Sequence, residues 1–342
     1  MKKLSIISLF TLILLSLSAC KSTNDSIPLI LYNEVDPFIL EFKKHIFHYA
    51  SGKVDIDSFD SQNSQLLQNE IIENMLEENR DVLIINPVDR LGAYTIIDKV
   101  KEHNIPIVFI NREPLEVDMY SWDKVYYIGA PAENSAMIQS EMIHSLFKDP
   151  LNLSDYDKNN DNIIQLVLLK GEQGHQDAEI RSEVVIEQLE YLGYRIEILS
   201  IEVCDWQESI AYLKMNDLMK NLEDPIELVI SNNDAMALGA IRAMEEQGLF
   251  SDENKDGVID RETEPWIPVV GIDGIETAKL SIDSGRLYGT VINDSEEMSR
   301  ALIELVEALQ NGEDLSNLSY ELEGGKYIWI DYRKYEDQEE AN

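Results

Sequence analysis

Short apolar runs rich in Ile and Val alternate with longer stretches of helical period from residue 28 onward. Five of these runs predict strands in the first part of the chain, over 28–33, 54–59, 82–88, 105–111 and 125–130. Helical patterns separate the first four, over 38–50, 64–77 and 91–103. Because parallel neighbours in a sheet need a crossover connection, this alternation predicts a parallel sheet with helices on both faces.

The same alternation starts again after residue 160. The second series predicts strands over 163–171, 194–203, 226–233, 267–273 and 287–294, with helices between them. The chain has 342 residues, which is enough for two cores of this kind. The predicted fold class is therefore α/β, with two doubly wound parallel-sheet lobes and a cleft between them.

Polar residues follow several of the predicted strands, where open α/β sheets bind their ligands. They are Asn111, His175, Asp177, Asn233, Asp273 and Asn293. Asn and Asp end strands in many loops, so each alone is weak evidence, but together they predict a polar site in the cleft. Asp177 and Arg181 lie four residues apart on one helix face, a spacing that by itself favours an ordinary surface ion pair.

The first twenty residues have the pattern of a secretory signal, with two lysines, an apolar run and small residues before Cys20. A Cys in this position resembles a lipoprotein signal. Residues 1–19 are then a signal peptide, Cys20 carries the lipid, and 20–27 form a lipid-anchored linker. The alternative is a membrane-spanning helix, although the apolar run is shorter than the roughly 20 residues that a span needs.

The net charge of −37 repels phosphate backbones, so we expect no nucleic acid partner, whereas cations are plausible ligands. With Cys20 assigned to the lipid, Cys204 is the second of only two cysteines. The sequence therefore predicts no intramolecular disulfide and no zinc cluster.

Two acidic stretches resemble calcium loops of the EF-hand kind. In DKNNDNIIQ (157–165), Asp157, Asn159, Asp161 and Gln165 match the ligand positions, but Leu168 stands where the bidentate Glu belongs. In DENKDGVID (252–260), Thr263 holds that slot, with Glu262 and Glu264 beside it. The candidate ligands of this possible second site are Asp252, Asn254, Asp256, Val258 and Asp260. For both stretches the alternative is a solvated acidic turn.

Five ordered stretches resemble the bacterial galactose/glucose-binding periplasmic proteins, the solute receptors of sugar ABC transporters. They are VLLKGEQGHQDAEIR (167–181), ISNNDAMALGA (230–240), IVFINREP (107–114), VVGID (269–273) and GTVIND (289–294). The resemblance implies a type I periplasmic binding protein fold with a three-segment hinge. The first lobe would comprise 28–130 plus 294–328, and the second 131–293 plus 329–342, with crossings near 111–131, 274–295 and 320–330.

The resemblance also implies a role for individual residues. Phe38 and Trp206 would stack on the two faces of a monosaccharide, unless both are simply core residues. The polar groups around the sugar would be Asp36, Asn111, His175, Asp177, Arg181, Asn233, Asp273 and Asn293. Pro37, next to Asp36, departs from the residue expected there.

A structural Ca²⁺ is implied as well, because the family closes the first loop with a carboxylate from a distant strand. The shell would consist of Asp157, Asn159, Asp161, the carbonyl of Ile163, Gln165 and Glu227. Asn162 takes the sixth position, which favours Gly, and Asn tolerates a left-handed backbone better than most residues. The resemblance gives no support to the second loop.

The implied function is an extracytoplasmic lipoprotein receptor, at the cell surface or in the periplasm. It would close on galactose or glucose and deliver the sugar to the membrane subunits of an ABC importer. We expect a monomer that meets the membrane through its lipid anchor. A sugar receptor for chemotaxis or a sensor kinase would use the same site. A sugar-active enzyme is a further alternative, but no nucleophile or base stands apart in the polar set.

Overall fold

The computed structural model describes residues 26–78, 80–153 and 156–335. Its first sheet has six parallel strands, which are β1 (Ile27–Leu31), β2 (Ile56–Asp60), β3 (Leu83–Ile85), β4 (Ile107–Ile110), β5 (Val125–Gly129) and β11 (Tyr327–Trp329). Their spatial order is β11-β5-β4-β3-β1-β2. The interior strand β1 is buried along its whole length, because a parallel sheet with helices on both faces exposes neither face to water.

Five helices belong to this first lobe, and they are α1 (Pro37–Ala50), α2 (Gln65–Glu77), α3 (Ala93–Glu102), α4 (Glu116–Met119) and α10 (Ser295–Asn311). Successive strand residues point to opposite faces. Leu29 of β1 accordingly joins the core under α1 and α10, whereas Ile30 joins the core under α2 and α3.

The second sheet contains β6 (Ile164–Lys170), β7 (Ile196–Val203), β8 (Leu228–Ser231), β9 (Val269–Asp273), β10 (Gly289–Ile292) and β12 (Arg333–Lys334). Its order is β12-β10-β9-β8-β6-β7, and β12 alone runs antiparallel to its neighbour. The helices of this lobe are α5 (Ala132–Phe147), α6 (Gln176–Tyr191), α7 (Glu208–Met219), α8 (Asp234–Glu246) and α9 (Glu276–Asp283). Helices α5 and α6 pack together on one face, and α7 and α8 on the other.

The chain passes between the two sheets three times, after β5, after β10 and after β11. The fold class is therefore confirmed, including the three-segment hinge. The short strands β11 and β12 were not predicted, because two or three residues are too few to show an alternating pattern. Among the described residues, no helix has the length and apolar character that crossing a bilayer requires. The predicted signal peptide, Cys20 and the linker up to residue 25 lie outside the described residues.

Candidate ligand-binding site

All ten residues predicted for the sugar site line one cavity between the carboxyl ends of the two sheets. The empty space of the cavity, including its open mouth, is about 360 Å³. The first lobe contributes three of the ten and the second lobe six, with the last at the crossing after β10; they are Asp36, Phe38, Asn111, His175, Asp177, Arg181, Trp206, Asn233, Asp273 and Asn293. Tyr32, Ile39 and Arg112 complete the wall. This is the position in which open α/β sheets bind ligands.

Asp36 is the N-cap of α1, and Pro37 holds the first helical position, which suits its fixed backbone. The Oδ1 atom of Asp36 accepts a hydrogen bond from the Ile39 amide at 3.1 Å, and its Oδ2 atom accepts one from the Tyr32 hydroxyl at 2.5 Å. Both bonds fix the plane of the carboxylate and leave lone pairs for a ligand. Burial raises the pKa of Asp36, while these two hydrogen bonds oppose the rise.

Phe38 and Trp206, the two residues predicted to stack on a sugar, line the cavity together with Tyr32. Phe38 is buried and lies with its ring centroid 5.9 Å from that of Phe42. Trp206 has a left-handed backbone with φ of 65°, and its indole ring packs directly on the backbone of Gly171. The buried Nε1 of Trp206 has no hydrogen-bond partner among the described residues. It is therefore available to donate to a ligand.

Arg181 is the best connected cation of the cavity. Its Nη2 atom lies 3.2 Å from Asp177 Oδ2 and donates to the Tyr332 hydroxyl at 2.7 Å, while Nη1 donates to the Asn232 carbonyl at 2.8 Å. Burial alone would lower the pKa of Arg181, but Tyr332, Asp177 and Asp273 raise it above its usual range. Its Nε is buried without a partner in the part of the chain described. The ion pair is buried in the cavity, so it is not the surface pair that the spacing alone suggested.

His175 caps α6, and its Nδ1 accepts a hydrogen bond from the Asp177 amide at 3.2 Å. Burial, together with Arg112 and Arg181, holds the pKa of His175 well below its usual value. The ring is therefore neutral near pH 7, and its proton resides on Nε2 because Nδ1 accepts. His175 thus offers one donor to the cavity.

Three residues at the ends of β8, β9 and β10 form the remaining polar wall. The Asn233 side chain caps α8 by accepting from Met236 N at 3.0 Å, and it donates to the Trp206 carbonyl at 3.3 Å. Burial raises the pKa of Asp273 well above its ordinary value, and Arg181 opposes that rise. Asn293 Oδ1 is buried with no partner among the residues described.

Three residues that the sequence analysis missed also shape the site. Arg112 packs over the Tyr32 ring at 3.8 Å and forms an ion pair across the cleft with Glu172 at 3.1 Å. Arg112 lies in the stretch IVFINREP (107–114), directly after Asn111. The family resemblance of that stretch could therefore have pointed to it. Tyr32 lies four residues before Asp36, in the loop between β1 and α1, and donates to the Asp36 carboxylate. Tyr332 belongs to the returning segment near β12, and nothing in the sequence pattern pointed to it.

The first acidic loop folds as a closed turn around its own carboxylates. Asp157 accepts from the amides of Asp161 and Asn162, at 3.1 and 2.8 Å. The distant Glu227 accepts from Lys158 N at 2.5 Å and Gln165 N at 3.2 Å, so its carboxylate lies at the loop. The Gln165 side chain donates to Asp161 at 2.9 Å, and its buried Oε1 has no partner within the described chain. An unpaired carbonyl oxygen among carboxylates suits a hard cation.

The second loop repeats this hydrogen-bond scheme. Asp252 accepts from the amides of Asp256 and Gly257 at 3.2 and 2.8 Å, as Asp157 does in the first loop. Glu264 corresponds to Glu227 of the first loop, since its carboxylate accepts hydrogen bonds from the amides of Glu253 and Asp260 at 2.8 and 2.9 Å. Of the two glutamates that flank Thr263, Glu264 is therefore the one that reaches into the loop.

Neither loop is a preformed metal centre by side chains alone. Across residues 26–78, 80–153 and 156–335, no three His, Cys, Asp or Glu side chains are gathered as they would be around an ion. The proposed shells also rely on amide and backbone carbonyl oxygens, as calcium sites commonly do.

Comparison with known proteins identifies the family. The profile of a family described as "Periplasmic binding protein domain" matches residues 27–314. The chain belongs to the periplasmic binding protein family. It is 36% identical over 317 residues to the D-galactose/methyl-galactoside binding periplasmic protein MglB of Haemophilus influenzae, which covers 91% of this chain and 90% of that protein. Members of this family are substrate-binding proteins of transporters, so this chain is a binding protein and not an enzyme.

Solved structures of other binding proteins share the fold of this chain. An ABC transporter solute binding protein from Bacillus halodurans with bound myo-inositol has a TM-score of 0.73 at 23% identity, and the match covers 92% of this chain and 95% of that one. A periplasmic solute binding protein from Actinobacillus succinogenes with bound D-allose has a TM-score of 0.74 at 18% identity, covering 92% and 98%.

Proposed function

We propose that this protein binds D-galactose or D-glucose between its lobes and delivers the sugar to the membrane subunits of an ABC importer. One observation carries the proposal. The ten side chains predicted from the sequence converge on a single cavity, and three polar atoms there are buried without a partner among the described residues, namely Arg181 Nε, Trp206 Nε1 and Asn293 Oδ1. Because unpaired buried polar groups are costly, these atoms favour a ligand that is rich in hydroxyl groups. The likeness to MglB supports a hexose.

The chemistry of the cavity suits a pyranose. A hexose has flat C–H patches and a belt of hydroxyls that both donate and accept, and the cavity has aromatic walls and charged groups at its edge. Asp36 accepts the fourth hydroxyl in this proposal, since two acceptor oxygens serve either an axial or an equatorial group. Arg181 and the neutral His175 donate to ring or hydroxyl oxygens. Hydrogen bonds to ionised groups are roughly twice as strong as neutral ones.

We also propose that the protein works outside the cytoplasm, as its family does, and that Cys20 carries a lipid that holds it to a membrane. The support is the secretory pattern that ends at this cysteine. Mass spectrometry of the membrane-extracted protein, compared with a Cys20→Ala variant, would detect the lipid on the first mature residue. Release of both forms into the medium would contradict the anchor.

A structural Ca²⁺ in the first loop is part of the proposal. Burial raises the pKa of Glu227, and the nearby charges of Asp157 and Asp161 raise it further, so the three carboxylates repel one another without a cation. The unpaired Oε1 of Gln165 and the carbonyl of Ile163 would complete the oxygen shell. The second loop, closed by Glu264, remains the candidate for a second ion. Calorimetric titration of metal-free protein would give a stoichiometry of two if both loops bind calcium and one if only the first does.

Substitution of Asp36 tests the sugar site directly. Asp36→Ala should weaken glucose and galactose alike, by about tenfold or more, because a sugar hydroxyl loses its partner in a desolvated cavity. Asp98→Ala is the matched control, since Asp98 lies exposed on α3. Isothermal titration calorimetry would measure both sugars with each variant. Weaker affinity for only one of the two sugars, or unchanged affinity for both, would contradict the role of Asp36.

A further inference from the structure

A second, larger recess opens beside the sugar cavity. It holds about 1300 Å³ including its open mouth, and it shares Tyr32, Asp36 and Trp206 with the cavity as common walls. The side chains of Arg181 and Asp273, on the far wall of the cavity, do not border it. The recess therefore borders the cavity along Tyr32, Asp36 and Trp206 and not along its far wall.

The recess is not simply a cleft left open between separated lobes. The lobes are bridged by the Arg112–Glu172 ion pair, whose Glu172 lines the recess, and by a hydrogen bond of 3.0 Å from Glu276 N to Glu41 Oε1. A third bridge, from Gln176 to Glu113 at 3.0 Å, lies near the first. With these contacts made, the space beside Asp36 stays open.

The lining offers the two kinds of surface that a sugar ring needs. Val35, with 80% of its surface exposed, and Pro37 form an apolar rim on the first lobe. Across from them, the exposed side chains of Asp205, Gln207 and Ser209 make no hydrogen bond or ion pair with other described residues. C–H patches of a sugar can pack on the rim while its hydroxyls meet these polar groups.

The turn that carries Trp206 borders both spaces and is strained. Asp205 and Trp206 both have left-handed backbones, with φ of 48° and 65°. Non-glycine residues in this conformation cost free energy and concentrate at ligand sites. This turn places the Trp206 side chain in the wall common to both spaces, and its buried Nε1 has no partner among the described residues.

We infer that the recess accommodates a second sugar ring, or another polar substituent, attached to O6 of the hexose in the cavity. This inference rests on the proposed function. If O4 donates to Asp36, the anomeric carbon on the opposite side of the ring points away from the recess, while C6 leaves the ring on the same side as O4. A substituent on O4 itself would remove the proton that Asp36 accepts. The chemical class is therefore the 6-linked hexoside.

Three glucose disaccharides separate the possibilities in isothermal titration calorimetry with the soluble 24–342 chain. Isomaltose has a free anomeric carbon and an O6 link, maltose has an O4 link, and trehalose is substituted at both anomeric carbons. We expect isomaltose to bind within about tenfold of glucose, and maltose and trehalose to bind at least a hundredfold more weakly. Absence of glucose and galactose binding would contradict the proposed function itself. Glucose binding without isomaltose binding, or equal binding of all three disaccharides, would overturn the inference alone.

Variants that fill the recess provide the second arm. Val35→Trp and, from the opposite lobe, Ser209→Trp should each weaken isomaltose at least tenfold while glucose stays within about twofold. Val117→Trp is the matched control, since Val117 is 72% exposed on α4 and does not line the recess. The retained glucose affinity shows that each variant is folded. Unchanged isomaltose affinity in both recess variants would overturn the inference.

Discussion

Gly171 is the residue that most tightly restricts the stacking side chain of the site. A Cβ atom added there would lie 2.3 Å from Cη2 and Cζ2 of Trp206 and 2.5 Å from Cε2. Carbon atoms pack best at about 3.5–4.0 Å, so the indole ring of a Gly171→Ala variant has to move by more than about 1 Å. The ring is rigid and also lines the sugar cavity, so the displacement changes the stacking face that the ligand meets.

The expected loss of sugar affinity follows from the free-energy cost of overpacking, which is about 1–3 kcal/mol for an extra carbon in a well-packed place. If this cost falls on the ligand-bound geometry, sugar affinity drops by about fivefold to a hundredfold, at 1.4 kcal/mol per factor of ten. Calorimetry would give the affinity, and thermal unfolding would report any cost to the fold. Gly92→Ala is the control, because a Cβ there meets no atom within 4 Å.

A double-mutant cycle distinguishes displacement of Trp206 from any other effect of the added methyl group on sugar affinity. In a Trp206→Phe background, the smaller ring leaves room for the methyl group, so Gly171→Ala should cost much less affinity than it does in the parent. An affinity within about twofold of the parent for Gly171→Ala itself would refute the reasoning, since it would mean that Trp206 does not stack on the ligand.

Three further predictions concern the orientation of Asp36, the metal and the pH dependence of stability. Tyr32→Phe removes the donor that fixes Asp36 and should weaken galactose and glucose by about tenfold in calorimetry, as expected for a hydrogen bond to a charged group; unchanged affinity would show that α1 alone orients the carboxylate. Glu227→Gln should abolish the difference in thermal midpoint between calcium and chelator, and a persisting difference would place the ion elsewhere. Because the folded pKa of His175 is depressed, the unfolded chain takes up a proton near pH 6.5 that the folded chain does not, so stability is lost as pH falls below that value. A His175→Gln variant should therefore lose less unfolding free energy than the parent between pH 7.5 and 5.5 in urea titrations, and parallel losses would contradict the assignment.

Much of the fold and the site followed from sequence because both depend on local patterns. Buried parallel strands are continuous apolar runs, and residues after such strands meet at one edge of the sheet, which is why Asn111, Asn233 and Asn293 could be predicted. Trp206 and Phe38 came from the family resemblance and not from any spacing. Tyr332 escaped prediction because its contact with Arg181 joins residues 151 apart along the chain. The hinge geometry determines this pairing, and a local sequence pattern contains no information about that geometry.

The second acidic loop also has a feature that the sequence pattern could not determine. The spacing left Glu262 and Glu264 as equal candidates, and the backbone decided between them. Thr263 donates to Asp260 Oδ2 at 2.7 Å, and the Glu264 carboxylate then accepts from amides on both sides of the loop. The choice depends on how the chain turns after Asp260, which a periodic pattern does not specify.

The central claim is that the cleft is a hexose site. Its most direct test is calorimetric titration of the 24–342 chain, without the predicted signal and the lipid-bearing cysteine, with galactose, glucose, ribose and arabinose. We predict saturable one-to-one binding of galactose and glucose, with dissociation constants in the micromolar range or below, and binding of the two pentoses at least a hundredfold weaker. Preference for a pentose, or no heat with any of the four sugars, would contradict the account.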